Sequence, residues 1–385
     1  MQYTEDLLTH PPDGVEYVSM VDALDSGELV AEPSWRSGDV RPRNLAEAAL
    51  ASARLGVNGL RRFKWLLPDG VHWWRVTGDF DAVHVHCLPV HLSGAVPPML
   101  VTDSAGTFWY WTAARGMDDA RAWRLLRRER RVARAAGYTH PSVHTDQAAA
   151  VLLFVEEGLD LLGRVGLDRS RAAVAPPGVP PPSTANRPHR PPTMLFVARN
   201  FEIKGGTDVL EIFDRVRRRL PTARLLVAGS SDPDPGLTGV TWLGPCSRSE
   251  LYERAYPEAD VFVYPTRFDC APLVVMEAMA HGLPVVAPRA FGLPSMVRDG
   301  EGGVLFAPGD LPGATEAVES LLTDHDRLAR LAAGARQHYE QRLSTSVRNQ
   351  ILGATYRRIA IPGRARRRDG VRGGRPTDPG KPILP

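Results

Sequence analysis

The chain has 385 residues, 43% of them apolar and 24% charged, with a formal net charge of +3. The length exceeds what one hydrophobic core fills, so two domains are expected, and the charge is too small to imply nucleic acid. Three widely spaced cysteines, Cys87, Cys246 and Cys270, offer no metal-ligand spacing and suit a reducing cytosol; no run approaches the roughly 18 uncharged apolar residues of a membrane span, no internal repeat occurs, and MQYTEDLLTHPP at the start lacks a signal peptide's basic and apolar segments.

In chain order, Tyr3 to His10 reads as a short helix and Val15 to Met20 as a strand, followed by a helical pattern from Arg43 to Phe63. Asp81 to Cys87 reads DAVHVHC, a strand on which His84 and His86 alternate, with His86 nearer the carboxyl end where α/β ligands sit. Two histidines without a third or fourth ligand are weak evidence of metal. Met99 to Thr102 is the next strand and ends in DSAGTFWYW, whose run Phe108, Trp109, Tyr110, Trp111 suits either a sugar face or an interdomain core, the core being favoured. Residues 118–137 form an amphipathic helix: Ala122, Leu125, Leu126, Val132, Ala133 and Ala136 share one face, while Arg121, Arg124, Arg127, Arg128, Arg131 and Arg134 crowd the other. A basic face is commonly just solvated, and anionic lipid headgroups would also suit it. Thr139 to Val143 reads as a strand, Thr145 to Glu157 as a helix and Ala172 to Ala175 as a strand, before a Pro-rich linker over 177–192.

The second half alternates strand and helix more clearly. Met194 to Ala198 is an apolar strand; RNFEIKGG follows, then a helix with apolar Val209, Leu210, Phe213, Val216 and Leu220. Arg199 and Lys204 flank a loop in which Gly205 and Gly206 let backbone approach a ligand at a helix N-terminus, chemistry suited to a diphosphate. Strands Ala223 to Gly229 and Val240 to Leu243 and a helix from Ser247 to Tyr256 lead to the densest stretch, Asp260 to Ala287: strand, loop, helix from about Ala271, a Gly-Leu-Pro stop and a second strand. Its helix carries one misfit, Glu277, on a stripe otherwise of Leu, Met and Ala, and a second carboxylate, Asp269, lies eight positions earlier. At helical rise the two are about 12 Å apart, beyond the roughly 5–9.5 Å between the acids of glycoside hydrolysis. They read as acceptors gripping two ends of one long polyhydroxyl ligand, or as a helix N-cap and a buried ion-pair partner. A turn and strand in GEGGVLFAPGD, helices from about Leu311 to Leu322, Arg327 to Gln341 and Ser344 to Ile361, and a Gly, Pro and Arg tail from Gly363 complete the chain.

Asp269-x7-Glu277 within PT-x-FDCAPLVVMEAMAHGLPVVA, with RNFEIKGG upstream, resembles the E-x7-E signature and R-x(4)-KGG loop of the family-4 retaining glycosyltransferases, with Asp where that family usually has Glu. The resemblance is specific over residues 194–310 and diffuse before 176. It implies an α/β protein of GT-B fold, two Rossmann-like domains facing across a cleft: an acceptor-side domain over 1–176, a nucleotide-sugar domain over 193–343, and a helix over 344–362 crossing back. The family's first strand and Gly-rich turn are missing before Tyr3, through a misplaced start codon or a shortened domain. The implied activity is transfer of a sugar from a nucleoside diphosphate donor to a glycan, lipid-linked or small-molecule acceptor, with retention, no cofactor and no metal. The rival is a non-catalytic nucleotide-binding partner. Arg199, Lys204 and the amides of Leu273 and Val274 are assigned to the leaving phosphate, Asp269 to sugar hydroxyls and Glu277 to ribose. Gly205, Ala271 and Pro272 complete the donor loops, and Pro245 and Cys246 are placed at the base. His86, Asp103 and Ser104 are acceptor-side candidates, the last two where the family usually offers histidine. Asp79-Phe80-Asp81 and Asp232-Pro233-Asp234 read as turns rather than metal motifs. The protein is expected in the cytoplasm, with peripheral contact at an anionic membrane through the arginine face.

Overall fold

The computed structural model describes residues 2–31, 71–94, 96–182, 191–230 and 237–360. The expected helix from Arg43 to Phe63, the Asp232 triplet, residues 183–190 of the Pro-rich linker and the tail from Gly363 lie outside them.

The second domain is one six-stranded parallel sheet. Its strands are β8 (Thr193–Val197), β9 (Arg224–Ala228), β10 (Val240–Gly244), β11 (Val261–Val263), β12 (Val285–Pro288) and β13 (Gly303–Phe306), in the spatial order β10-β9-β8-β11-β12-β13. Counted within the domain this is 3-2-1-4-5-6, the order of dinucleotide-binding sheets, in which the chain leaves the centre in opposite directions and opens a crevice at the switch point. Here the switch point lies between β8 and β11. Both strands are buried along their whole length, which is why they read as unbroken apolar runs without alternation. Helices cover the sheet: α5 (Gly206–Arg219) through Val209, Ile212, Phe213 and Val216, α6 (Leu273–Ala280), α7 (Leu293–Val297), α8 (Leu311–Thr323) and α9 (His325–His338).

The first domain contains two sheets. A parallel one runs β3 (Val83–His86), β5 (Met99–Asp103), β6 (Ala150–Leu153) and β7 (Ala172–Val174). A smaller one joins β1 (Leu29–Ala31) antiparallel to β2 (His72–Val76), which pairs parallel with β4 (Val90–Gly94). Helix α1 (Gln2–Thr9) and helix α3 (Asp119–Ala136) match expectation. Asp118 caps α3 through the Arg121 amide, and Gly137 closes it in the left-handed region at φ 70.

Three expectations fail. Val15 to Met20 forms no strand, and the chain there turns into a short helix α2 (Met20–Asp25) capped by Ser19. Residues 139–144 form a turn held by the His140–His144 bridge instead of a strand. The helix expected from Thr145 to Glu157 is a strand, β6, with α4 (Glu156–Gly163) starting only afterwards. Every side chain of β6 is buried between β5 and β7, so its pattern is continuous and helical propensity misleads.

The last helix, α10 (Thr345–Ile359), reaches the first domain: Tyr356 Oη lies 2.7 Å from His84 Nδ1 and 3.0 Å from Tyr17 Oη. Arg348 is fully buried and donates to the carbonyls of His10 (2.9 Å) and Pro177 (3.3 Å), closing the end of α1. Elsewhere the domains meet through Glu157, which accepts from the amide (3.0 Å) and hydroxyl (2.7 Å) of Ser295, and through aromatic edges: Trp109 on Phe291 and Tyr110 on Phe268, at 6.2 and 5.8 Å between centroids. Two members of the aromatic run thus bridge the domains, while Phe108 packs against Trp123 inside the first.

Candidate functional site

Two loops meet at the switch point. The one after β8 carries Arg199, Lys204 and Gly205; the one after β11 carries Asp269. Gly205 has φ 82, and a Cβ there would lie 2.0 Å from the Pro265 carbonyl oxygen; one on Gly206 would lie 2.3 Å from the Phe201 ring. Only glycine lets the first loop rest directly on the second while turning into α5. Arg267 fastens the pair, donating to both oxygens of Asp208 on α5 (2.7 and 3.3 Å) and from its own amide to the Ile203 carbonyl (2.9 Å).

The fastening brings Lys204 and Asp269 together. Lys204 Nζ donates to Asp269 Oδ2 (2.6 Å) and to the Phe268 carbonyl (2.9 Å). Tyr264, at the end of β11, donates to the same Oδ2 at 2.7 Å. Burial, reinforced by Asp269, raises the Tyr264 phenol well above its usual range and keeps it a donor. One carboxylate oxygen is therefore anchored twice. Arg199 stands exposed at the end of β8 and pairs with no acid among the described residues. Helix α6 points its N-terminus at this place: Pro272 offers no side-chain cap, so the amides of Leu273 and Val274 and the helix dipole face outward. Ala271 is half-buried beside it. On the far side, Pro245 is exposed and the Cys246 thiol turns back to the Gly244 carbonyl at 3.4 Å, leaving the backbone of that turn outermost.

Glu277 lies about one helical turn into α6. It is 2% exposed. Its Oε1 accepts from Arg248 Nε at 2.8 Å and its Oε2 from Tyr256 Oη at 2.9 Å. Arg248 also donates through Nη1 to Asp6 of α1, at 2.8 Å. Burial works against the charge on Arg248, but Asp6 and Glu277 outweigh it and raise its pKa. Burial and Glu277 likewise raise Tyr256, so it remains the donor.

On the first-domain side, His84 Nε2 and His86 Nδ1 share the Thr102 hydroxyl at 2.9 and 3.1 Å. Burial lowers His84 to about 3 and His86 to about 4, so both rings are neutral near pH 7. Asp103 ends β5 as expected but faces inward: Oδ1 accepts the Cys87 thiol at 3.0 Å, and Oδ2 accepts the Ala105 amide at 3.1 Å and the Ser142 hydroxyl. Cys87 and Ala105 adopt φ 53 and 55, so this carboxylate steadies two strained turns at the carboxyl ends of β3 and β5. It does not present the free acceptor-side polar group expected there, because both of its oxygens are taken within the protein. Ser104 lies beside Cys270: a Cβ on Gly106 would meet Cys270 Sγ at 2.5 Å and Ser104 Oγ at 3.2 Å. Burial, with Asp269 and Asp103, pushes the Cys270 thiol up to about 12.

The structure thus joins Lys204 and Gly205 of the first loop to Asp269 and Pro265 of the second, just before α6, and brings Ser104 up to Cys270 beside them, while Arg199 makes no contact with this group that places it there. It adds four residues that the motifs did not point to: Tyr264, Tyr256, Arg248 and Asp6. A tyrosine closing an apolar strand before Pro265 was the available signal for the first; the others are joined only by folding. Among the described residues no His, Cys, Asp and Glu set comes together as metal ligands, and no helix is long and apolar enough to cross a membrane.

A parallel sheet of this order, carrying a cationic Gly-Gly loop at its switch point and facing a second parallel sheet, defines the GT-B class. Residues 191–324 match the family described as Glycosyl transferases group 1, and this segment belongs to that family. Among curated relatives, the sulfoquinovosyl transferase of Arabidopsis thaliana is 34% identical over 158 residues (38% of this chain, 31% of the relative). The glycogen synthase of Mycobacterium tuberculosis is 32% identical over 167 residues (40% of each chain). The D-inositol 3-phosphate glycosyltransferase of Xylanimonas cellulosilytica is 31% identical over 211 residues (47% and 50%). The chain spans half or less of the length of these relatives. Among solved structures, sucrose-phosphate synthase from Thermosynechococcus elongatus superposes with a TM-score of 0.56 at 18% identity, covering 90% of this chain and 82% of that one. Anabaena HepE in complex with UDP-glucose gives 0.52 at 16%, covering 68% and 72%.

Proposed function

We propose that the protein transfers a sugar from a nucleoside diphosphate sugar to an acceptor, with retention at the anomeric carbon. The observation that carries this reading is the Lys204–Asp269 pair, formed between the Gly-Gly loop after β8, which also carries Arg199, and the loop that leads into the uncapped N-terminus of α6. As the bond to the sugar breaks, negative charge develops on the leaving phosphate, and preorganised cations and amides stabilise it without reorganising. Lys204 leaves Asp269 for the phosphate, and the carboxylate, still held by Tyr264, turns to the sugar hydroxyls. Glu277 takes the ribose, and the backbone at Pro245 and Cys246 takes the base. The acceptor enters past His86 and Ser104. Nothing in this scheme routes through a metal or a cofactor beyond the donor itself. Relatives named as glycosyltransferases and a structural neighbour solved in complex with UDP-glucose support the donor class.

Calorimetry with UDP, GDP and ADP is expected to give binding to one of them, and a hydrolysis screen across the corresponding sugars slow release of free sugar. Absence of heat from all three, with folded protein, overturns the reading. Binding without hydrolysis or transfer favours a non-catalytic nucleotide-binding partner, a role to which the inward-turned Asp103 also lends itself.

The acceptor class follows from α3, where Arg121, Arg124, Arg127, Arg131 and Arg134 are all exposed. At about 1 kcal/mol per residue near an anionic surface, this face suits a bilayer and orients the first domain toward a lipid-linked acceptor. Sedimentation with anionic vesicles at low salt is expected for the protein and not for a variant with Arg124, Arg127, Arg128 and Arg131 changed to Glu; equal behaviour of the two removes the membrane from the proposal.

A further inference from the structure

The carboxylate assigned to ribose is not open to it. Glu277 is 2% exposed, both of its oxygens are taken, and the guanidinium that takes one of them is tied to the first domain by Asp6. A ribose hydroxyl reaches Oε1 only where Arg248 now sits. Asp6 supplies the complementary observation. It is 8% exposed, and its second oxygen, Oδ2, is buried with no hydrogen-bond partner among the described residues. Buried polar atoms are nearly always satisfied, and an unmatched carboxylate oxygen is among the costliest to leave so. Arg248 already donates to the neighbouring oxygen of the same carboxylate, and a guanidinium forks naturally onto both oxygens of one acid.

Taking the donor site as proposed above, we infer that Asp6 and Arg248 are positioning residues for ribose: Arg248 is shared between Glu277 and Asp6 when the site is empty, and moves wholly onto Asp6 when ribose hydroxyls take Glu277. The move keeps Arg248 paired, now through both Asp6 oxygens, and replaces its hydrogen bond to Glu277 by those of the ribose hydroxyls. It satisfies the orphaned Oδ2 and keeps Tyr256 on Glu277 Oε2, so the acid stays oriented. Because Asp6 belongs to α1, occupancy of the nucleoside end is felt directly by the first domain. The partial exposure of the Arg248 side chain, 23%, leaves it room to swing, while Asp6 at 11% and Glu277 at 3% stay fixed.

Asp6→Asn tests this. An amide accepts through one oxygen only and cannot receive the fork, so Arg248 stays on Glu277. The measurement is calorimetry with UDP, GDP and ADP, each beside its 2′,3′-dideoxy counterpart. Wild type is expected to prefer the ribose form of its nucleotide by about tenfold or more, the value of a hydrogen bond to a charged group. Asp6→Asn is expected to bind the two forms alike, at the level of the dideoxy nucleotide. If Asp6→Asn does not fold, Arg248→Lys replaces it, because an ammonium cannot span both oxygens and the same loss of preference is expected. Undiminished preference in a folded variant overturns the inference and leaves the donor reading intact. So does a wild type that binds nucleotide without preferring ribose. A wild type that binds none of the nucleotides overturns both.

Discussion

Lys204→Ala is expected to slow sugar transfer by about 10²- to 10³-fold, the equivalent of roughly 2.7–4 kcal/mol, which is typical for loss of one preorganised group at a developing oxyanion. The same change costs little folding stability, about 1 kcal/mol, because Asp269 keeps Tyr264 on the same oxygen and its side chain is 19% exposed to water. Arg199→Ala is expected to follow with slower turnover and an unmoved denaturation midpoint, since Arg199 is exposed and pairs with no acid among the described residues. Steady-state kinetics with the identified donor, set beside urea unfolding, separates the two effects. Wild-type rates in both variants remove the phosphate role; rate losses that track stability losses reduce the cations to surface packing.

The nucleotide-side domain was legible because its chemistry and its architecture coincide. β11 is wholly apolar, and β8 and β9 are apolar after a polar first residue, with Pro192 before β8, Gly229 after β9 and Asp260 before β11, so element type, approximate ends and the loops carrying Lys204 and Asp269 could be read directly. Sheet order could not, because the position of β11 beside β8 depends on contacts across 67 residues of chain, such as Phe262 opposite Leu195. The first domain was less legible for a related reason. In β6, AVLL follows two further alanines and lies two residues before a pair of glutamates, a helical composition, and only its place between β5 and β7 makes it a strand. Asp103 marks the limit in the site itself. Its position at a strand end was readable, but its direction is fixed by Ser142 and Cys87, which approach from other elements. Glu277 was readable as a misfit on an apolar stripe; that Arg248 satisfies it, from 29 residues away, was not.

That pairing makes Glu277 the sharpest remaining test, because the structure gives it the ion-pair partner of the bland reading as well as the position of the functional one. Glu277→Ala is expected to lower folding stability by about 3 kcal/mol, the low end for breaking a buried pair, since Arg248 keeps Asp6 and is 23% exposed. It also leaves the buried Tyr256 hydroxyl without its acceptor. Glu277→Gln is the milder change: its carbonyl oxygen can still accept from Tyr256, while its NH2 group can only donate and replaces the charge-assisted acceptor for a ribose hydroxyl by a weaker neutral donor. Unfolding in urea and calorimetry with the bound nucleoside diphosphate then give two independent readings on one folded variant. If Glu277 is an ion-pair partner alone, Glu277→Gln loses stability and binds nucleotide unchanged. If it holds ribose, the same variant loses affinity by about tenfold or more beyond any stability loss, and loses none for a dideoxy nucleotide that never made the contact.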